Sequence, residues 1–459
     1  MTDLEAAKRI AELTAQRGGR AYFVGGFVRD ELMGCKDDLL DIDIEVHGVK
    51  PEELREILSE VGEVLQYGSS FGIYGLSGHD IDIAMPRKEH ATGRGHRDFE
   101  VFVDPFIGPG EAARRRDFTI NAMMQDVLSG EDLDPFGGQK DLEKGVLRHV
   151  DDKSFAEDPL RVLRCAQFAA RFTKPGAEMP ENFTVAPETI ALCRSMDLSA
   201  LSRERVEGEL KKALLKAAKP SVFFEVLRQM DQLGFWFAEL GQLIGLAQDP
   251  VYHPEGDVWV HSMQVLDRAA LCRDKVSEPY RFMLLALLHD LGKITATEEV
   301  KGRIHAYGHE TKGLPLIEEF LRRITGEEAV ISYVLNMAAL HMKPNMSASS
   351  GASVKSTNRM FDEAADPRDL VYMALCDKPV MSGSRPFTGD PDFLFGRLKA
   401  YEDTMAKPYV AGRDLVEAGL KPGQDFSELL SYAHKLRLAG IDKKTALKQV
   451  LSMAKKRGV

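Results

Sequence analysis

The chain has 459 residues, a net charge of −11, 44% hydrophobic residues and 29% charged residues. This composition is typical of a globular protein, and the length predicts roughly three or four domains. The acidic balance argues against a protein that coats nucleic acid non-specifically, since such binding needs lysine and arginine. The sequence has no apolar run of membrane-spanning length, no signal-peptide pattern at its start, and no paired motif among its five cysteines. We therefore expect a cytoplasmic protein that does not contact membranes.

The predicted elements change in character along the chain. Short alternating strands are predicted at residues 22–24, 41–46, 73–76, 80–84 and 100–103, and helices at 4–17 and 51–61. From about residue 155 the strand signal nearly vanishes and helical periodicity takes over. The fold class predicted is α+β, with a small mixed sheet in the head and helices in the rest.

Two carboxylates in the strand at 41–46 are the first chemical signal. Strand side chains alternate between faces, so Asp41 and Asp43 point the same way while the isoleucines between and after them enter a core. Two carboxylates on one face repel each other unless a cation lies between them. Oxygen ligands with open positions suit Mg²⁺, which usually binds one or two carboxylates and the phosphates of a substrate. The pattern indicates a two-metal site for phosphoryl transfer.

Residues around this strand complete the predicted site. Gly25 and Gly26 follow an apolar strand, where their backbone N–H groups can approach phosphate oxygens, and Arg29 adds a cation. The strand at 80–84 repeats the Asp-x-Asp alternation. If it pairs beside residues 41–44, Asp82 becomes a third catalytic carboxylate.

The order of these motifs resembles the nucleotidyltransferase superfamily of the polymerase-β type. The run from Arg114 to Ala122, with Asp-Pro-Phe-Gly-Gly at 134–138, narrows the resemblance to the class II tRNA nucleotidyltransferase (CCA-adding) and bacterial poly(A) polymerase family. In that run we expect Arg116 and Asp117 to hold the triphosphate and ribose of a nucleotide, with Asn121 in support. The resemblance implies a polymerase-β-type head followed by an all-α neck and body.

A helix that opens at Glu157-Asp158-Pro159 carries the predicted base readers. Asp158, Arg161 and Arg164 recur every third residue and share a broad face. An aspartate accepts a hydrogen bond from an exocyclic amine and an arginine donates to a ring nitrogen, which fits cytosine and adenine and rejects uracil and guanine. The alternative is a helix start with ordinary ion pairs. The resemblance implies that Asp158 and Arg161 choose CTP and ATP, with Arg164 assigned less directly, while Glu204 and Arg205 brace a helix.

A second group of potential ligands lies in the helical part. The order His…His-Asp…Asp resembles the HD phosphohydrolase domain, which implies one metal on His261, His289, Asp290 and Asp377. The same resemblance implies that His309 and His341 bind a second metal and that Lys293 contacts a phosphate. His253 and His305 are assigned structural roles. Imidazole and carboxylate ligands suit Mn, Fe, Co, Ni or Zn.

A polar, glycine-rich segment at residues 86–113 is predicted to be a lid over the first site, or alternatively a disordered insertion. The predicted domains are a head at 1–150, a neck and body with the nucleotide-selecting helix at 151–250, an all-α HD domain at 251–382 and a helical segment at 383–459.

Taken together, these patterns predict a CCA-adding enzyme that acts on tRNA with ATP, CTP and Mg²⁺, and that carries an HD phosphoesterase active on 2′,3′-cyclic phosphates. Three alternatives stay open: a poly(A) polymerase, a partial enzyme that adds only CC or only A, and an HD phosphohydrolase whose head merely binds RNA or nucleotide. The sequence leaves the oligomeric state and the identity of the HD metal undetermined.

Overall fold

A computed structural model describes residues 1–34, 42–67, 73–91, 99–173, 182–378 and 390–457. The chain divides into two compact units, Met1–Trp236 and Phe237–Val459. The predicted division into four domains stays a prediction. Within the described residues, no helix combines the length and the apolar character needed to cross a membrane.

The first unit contains a seven-stranded mixed sheet and two small additional pairs of strands. Its strands are β1 (Arg20–Val24), β2 (Ile42–His47), β3 (Val64–Tyr67), β4 (Ile73–Leu76), β5 (Ile81–Ala84), β6 (Arg87–Ala91), β7 (Phe99–Val103), β8 (Met124–Asp126), β9 (Asp132–Leu133), β10 (Val146–Leu147) and β11 (Thr184–Val185). The sheet runs in the order β3-β4-β5-β2-β1-β8-β9, and β2 and β5 are parallel neighbours.

Helices of the first unit cover the sheet and continue beyond it. They are α1 (Asp3–Gln16), α2 (Gly26–Leu32), α3 (Pro51–Val61), α4 (Pro109–Arg114), α5 (Gly138–Lys144), α6 (Asp152–Ala156), α7 (Leu160–Phe172), α8 (Pro187–Arg194), α9 (Arg203–Lys216) and α10 (Ser221–Gln229). Helix α1 packs on β1, β2 and α3 because most of its apolar residues recur at helical spacing and lie on its buried side. Helix α7 packs against α9 and α10. This packing places the residues around position 158 beside α9.

In the residues that the structure describes, the second unit is helical except for one short hairpin. Its elements are α11 (Ala238–Gly241), α12 (Val258–Ala270), α13 (Pro279–Leu288), α14 (Lys293–Ala296), β12 (Glu298–Val300), β13 (Arg303–His305), α15 (His309–Lys312), α16 (Leu314–Ile324), α17 (Glu328–Leu340), α18 (Met342–Ser350), α19 (Val354–Glu363), α20 (Pro367–Asp377), α21 (Pro391–Ala406), α22 (Gly412–Glu417), α23 (Asp425–Leu438) and α24 (Lys443–Arg457). Helix α13 is apolar on all sides and buried from Phe282 to Leu288, and α12, α17 and α20 surround it. Polar residues that directly follow α13 therefore lie at the edge of a closed core.

The α+β head followed by a helical body is confirmed, with two local differences. Part of the predicted lid folds as the antiparallel hairpin β6–β7, followed by α4. The described part of that segment is therefore neither a long loop nor a disordered insertion. The hairpin β12–β13 interrupts the part that was predicted to be all-α. Strand β7 agrees with the strand predicted at 100–103, whereas β6, β12 and β13 have polar sequences that lack the apolar alternation on which the strand predictions were based.

Candidate active sites

The strand register places two of the predicted carboxylates side by side. β2 and β5 run parallel with Asp43 opposite Asp82, and neighbouring residues in register point to the same face of a sheet. Asp82 is exposed at this position. Asp41 lies outside the described residues, so its predicted role stays a prediction, as does that of Asp82.

Beside Asp43 lies a cavity of about 980 Å³ in the first unit. All nine of the predicted nucleotide-binding residues line it: Gly25, Gly26, Arg29, Arg116, Asp117, Asn121, Asp158, Arg161 and Arg164. The lining contains ten arginine and lysine side chains against five carboxylates. The chain is acidic as a whole, but this cavity has the charge of an anion-binding site.

Glycine is required at position 25 by the backbone conformation and by close packing. Gly25 has a φ of +67°, and a Cβ atom there would lie 3.0 Å from Arg116 Nη1 and 3.5 Å from Asp43 Oδ2. Another residue would be strained in this conformation and would displace one of these side chains. Gly25 thus lets a cation and a carboxylate approach the same turn of backbone.

A chain of buried hydrogen bonds holds the polar wall of the cavity. Arg29 Nη1 donates to Asn121 Oδ1 at 2.5 Å, Asn121 Nδ2 donates to Asp117 Oδ1 at 2.9 Å, and Arg164 Nε donates to Asp117 Oδ2 at 2.8 Å. Burial alone would raise the pKa of Asp117, but Arg164 and Asn121 lower it below its ordinary value. Arg29 is itself buried and its Nε donates to Asp30. Its predicted contact with a phosphate stays a prediction, because the structure shows it bracing Asn121.

The predicted base readers lie at the start of α7 and are already held. Arg161 donates to the carbonyl oxygens of Ser154 at 2.5 Å and Arg115 at 2.7 Å. Asp158 accepts from Arg205 Nη2 at 2.8 Å. The structure therefore brings the acceptor and the donor of the base-reading hypothesis to one cavity, each with a fixed orientation.

Two residues of this site were not predicted from the sequence. Glu45 lies two positions after Asp43 on β2 and lines the cavity, 3.6 Å from Arg116 and 2.8 Å from His47 Nε2. Burial would raise its pKa, but His47 and Arg116 keep that pKa below its ordinary value. Arg205 was expected to brace a helix, and the structure identifies Asp158 as its partner. Strand alternation could have identified Glu45, whereas the partner of Arg205 depends on helix packing.

The second unit gathers the other six predicted metal ligands at the end of α13. His261, His289, Asp290 and Asp377 offer ligand atoms within 4.8 Å of one another, and so do Asp290, His309 and His341. Asp290 belongs to both groups, so it is suited to bridge two metal ions. His289 Nε2 is buried without a hydrogen bond, 3.3 Å from both Asp290 Oδ2 and Asp377 Oδ1.

The ring orientations show that this cluster fits a metal. The Nδ1 atoms of three histidines face backbone carbonyl oxygens: His289 to Ala286 at 3.0 Å, His309 to Ala306 at 2.9 Å and His341 to Ala338 at 2.6 Å. A carbonyl can only accept, so each Nδ1 carries a proton and each Nε2 is the ring atom left to bind a metal. Nitrogen and carboxylate ligands in this arrangement suit Mn, Fe, Co, Ni or Zn.

His261 is oriented differently, by a side chain from outside the predicted ligand pattern. Glu255 Oε1 lies 2.8 Å from His261 Nδ1 and 2.9 Å from His253 Nδ1. Hydrogen bonds from both rings outweigh the effect of burial and lower the pKa of Glu255 to about 2. Glu255 is therefore a carboxylate that orients a ligand, and the sequence pattern did not reveal it.

Lys293, the residue predicted to contact phosphate at this cluster, has two polar partners in the structure. Lys293 Nζ lies 2.8 Å from Asp290 Oδ2 and donates to Gln248 Oε1 at 2.6 Å. Burial lowers the pKa of His289, yet Asp290 and Asp377 raise it to about 10, which shows how strongly the carboxylates favour a positive charge at this point. The cluster is built to hold cations.

Fold and sites together define a nucleotidyltransferase with a separate HD metal centre. Residues 21–148 match the family described as the Poly A polymerase head domain, and residues 258–379 match the HD domain family. The chain is 39% identical over 436 residues to the Multifunctional CCA protein of Cupriavidus metallidurans, covering 92% of this chain and 98% of that protein. The homologue from Cupriavidus pinatubonensis is 34% identical over 436 residues, which again cover 92% of this chain and 98% of that protein. The chain belongs to the family of multifunctional CCA proteins, so it is a CCA-adding nucleotidyltransferase that carries an HD domain.

Solved structures agree with this fold. The Thermotoga maritima CCA-adding enzyme complexed with tRNA has a TM-score of 0.64 at 21% identity and matches 98% of this chain and 95% of that one. The Bacillus stearothermophilus CCA-adding enzyme in complex with CTP has a TM-score of 0.63 at 19% identity, with 100% and 99% matched. The predicted resemblance and fold class are confirmed.

Proposed function

We propose that this chain adds C and A to the 3′ end of tRNA from CTP and ATP, in the cytoplasm and without a nucleic-acid template. The observation that carries the proposal is the presence of Asp158 and Arg161 in the cavity that Asp43 lines. An acceptor and a donor beside each other match cytosine and adenine, whose amine and ring acceptor lie in the same order. Uracil and guanine reverse that order and leave buried groups unpaired.

In the reaction, the terminal 3′-hydroxyl of the RNA attacks the α-phosphorus of the nucleotide and pyrophosphate leaves. Mg²⁺ held by Asp43 and Asp41 would lower the pKa of that hydroxyl and neutralise the triphosphate. Arg116, beside Asp43 across Gly25, is placed to bind triphosphate oxygens. Asp82 is the candidate for a third carboxylate, and the hairpin β6–β7 remains the candidate lid.

A second activity is proposed for the HD cluster because of its inward-facing Nε2 atoms. His261, His289, Asp290 and Asp377 would hold one transition metal, and His309 and His341, with Asp290, a second. Such a metal would activate a water molecule for attack on a phosphoester. Hydrolysis of a 2′,3′-cyclic phosphate breaks one P–O bond of the ring, and the ribose oxygen takes a proton. Lys293, whose Nζ atom lies 2.8 Å from Asp290 Oδ2, is the candidate contact for the phosphate.

The test of the transferase is incubation of the purified chain with Mg²⁺, tRNA that lacks its 3′ end, and labelled CTP and ATP. Addition of C, C and A followed by a stop supports the proposal. A long A tail would indicate a poly(A) polymerase, and addition of only CC or only A would indicate a partial enzyme. The HD activity is tested by hydrolysis of a nucleoside 2′,3′-cyclic phosphate with Mn²⁺ or Ni²⁺.

A further inference from the structure

An exposed tyrosine stands next to the HD cluster. Tyr307 is 64% exposed and lies two positions before His309. His309 Nε2 is 3.1 Å from Asp290 Oδ1, so the tyrosine directly precedes a ligand of the proposed metal centre. The ring of Tyr307 is thus open to solvent and close in sequence to the cluster.

The ring of Tyr307 is pre-arranged as a platform. The ring of His305 stacks on it with a centroid distance of 4.8 Å and an angle of 12° between the planes. His305 ends β13 and is paired with Glu298 of β12, so the hairpin supports the stack from one side. A planar ligand on the open face of Tyr307 would continue this stack.

Close backbone packing fixes the position of this platform. A Cβ atom on Gly292 would lie 1.9 Å from the carbonyl oxygen of His309, which means that the backbone after Asp290 touches the backbone after Tyr307. Glycine is required at position 292 for this approach. The platform and the cluster are therefore held at a fixed separation.

Tyr307 lies close to the cluster along the chain. Two residues of chain span at most about 7 Å, so the Cα atoms of Tyr307 and His309 are no further apart than this. A base stacked on the open face of Tyr307 would therefore lie in the neighbourhood of the cluster that we propose acts on its phosphoester.

Stacking, rather than charge, would supply the binding energy. Lys301 and Arg303 are exposed on the hairpin, but Glu298 and Glu299 are exposed on it as well, so their charges balance. Stacking on an aromatic ring is tolerant of base identity, since every base has a π face.

We propose that Tyr307, supported by His305, is the stacking platform for the terminal base of an RNA-like substrate, so that the HD centre acts on nucleoside phosphoesters in preference to phosphoesters without a base. The inference rests on the proposed HD phosphoesterase activity and names the part of the substrate that this site recognises.

The experiment compares two substrates with the same cyclic phosphate, uridine 2′,3′-cyclic phosphate and glycerol 1,2-cyclic phosphate. Uridine is chosen because the base readers of the transferase site reject uracil. Tyr307→Ala should raise KM for the uridine substrate roughly 5- to 100-fold. The substitution should leave kcat for the uridine substrate unchanged, and it should leave both kcat and KM for the glycerol substrate unchanged. Tyr307→Phe should behave like wild type. Tyr67→Ala, which removes an exposed tyrosine of the other unit, is the control.

A binding measurement separates failure of this inference from failure of the phosphoesterase proposal. Uridine 3′-phosphate and glycerol phosphate are titrated calorimetrically into wild type and Tyr307→Ala. If wild type hydrolyses neither cyclic substrate, but Tyr307→Ala still weakens binding of the uridine compound alone, the phosphoesterase proposal fails and the platform stands. Unchanged binding of uridine 3′-phosphate, or equal effects on both ligands, would overturn the platform.

Discussion

Arg205 Nη2 lies 3.0 Å from Oδ1 and 2.8 Å from Oδ2 of Asp158, although 47 positions separate the two residues in the sequence. This contact joins α9 to the start of α7 and holds the carboxylate that we propose reads the nucleobase. The carboxylate oxygens retain further lone pairs for an amine donor. Arg205 therefore determines where Asp158 presents its acceptor.

Arg205→Ala should lower kcat/KM for CTP about 10- to 100-fold, because a hydrogen bond to a charged group contributes about 1.5–3 kcal/mol. Misincorporation of UTP should fall less, which would reduce the ratio between the two nucleotides. The measurement is single-nucleotide addition to truncated tRNA with each nucleotide in turn. Arg203→Ala is the matched control, since Arg203 lies on the same helix, is 43% exposed and pairs with an exposed glutamate. An unchanged CTP-to-UTP ratio in Arg205→Ala would argue against this role.

Glu45→Gln should impair nucleotide binding by releasing Arg116. The substitution keeps the shape of the side chain and removes the charge that faces Arg116 and His47. We expect KM for ATP and CTP to rise about 5-fold, the effect of losing an ion pair that contributes about 1 kcal/mol. Steady-state kinetics would show this, with Glu56→Gln as the control because Glu56 is 70% exposed. If KM stays at the wild-type value, Arg116 does not depend on Glu45.

Glu255→Gln should weaken metal binding at the HD cluster about 10- to 100-fold, the usual effect of removing a carboxylate that orients a histidine ligand. The chain is stripped with a chelator and titrated with Mn²⁺ in a calorimeter. Glu278→Gln, which removes a half-exposed glutamate of the same unit, should bind as wild type does. Equal affinity in Glu255→Gln and wild type would show that His261 is held without this contact.

Arg164→Ala should destabilise the first unit by about 2–4 kcal/mol, because it leaves the buried carboxylate of Asp117 without its cation. The expected loss of stability is somewhat smaller than that for breaking a fully buried ion pair, because a third of the Arg164 side chain is exposed. Urea unfolding is followed by the fluorescence of Trp236 in a Trp259→Phe background, since these are the two tryptophans of the chain. Adding Asp117→Asn should recover part of the loss, and a double variant as unstable as the sum of its parts would contradict the coupling.

Local sequence patterns predicted much of both sites. Alternation along one strand located Asp43, and the motif around position 158 located Asp158 and Arg161, which both line the cavity although Asp158 precedes the first residue of α7. The order of histidines and aspartates in the second unit predicted side chains that now lie within 4.8 Å of one another. These side chains could be located because each position depends on a local pattern or on the resemblance to a known family, and the roles assigned to them stay predictions.

The contacts that hold the ligands were not predictable in this way. Arg205 meets Asp158 only because α9 packs on α7, and Glu255 meets His261 because a loop folds back before α12. The partners of Arg29, which are aromatic rings and Asn121, were likewise not predicted, and its proposed contact with phosphate stays a prediction. Such partners depend on tertiary packing, on which a single sequence carries no direct signal.

We propose that one cavity, lined by Asp43 and by the base readers Asp158 and Arg161, adds a defined number of C and A residues to tRNA. The most direct test is the size and sequence of the product formed from truncated tRNA with labelled CTP and ATP, by wild type and by Asp43→Ala. We predict C, C, A and a stop for wild type, no addition by Asp43→Ala, and unchanged metal binding at the HD cluster in that variant. Addition by Asp43→Ala, or a wild-type product that grows into a long A tail, would contradict the account.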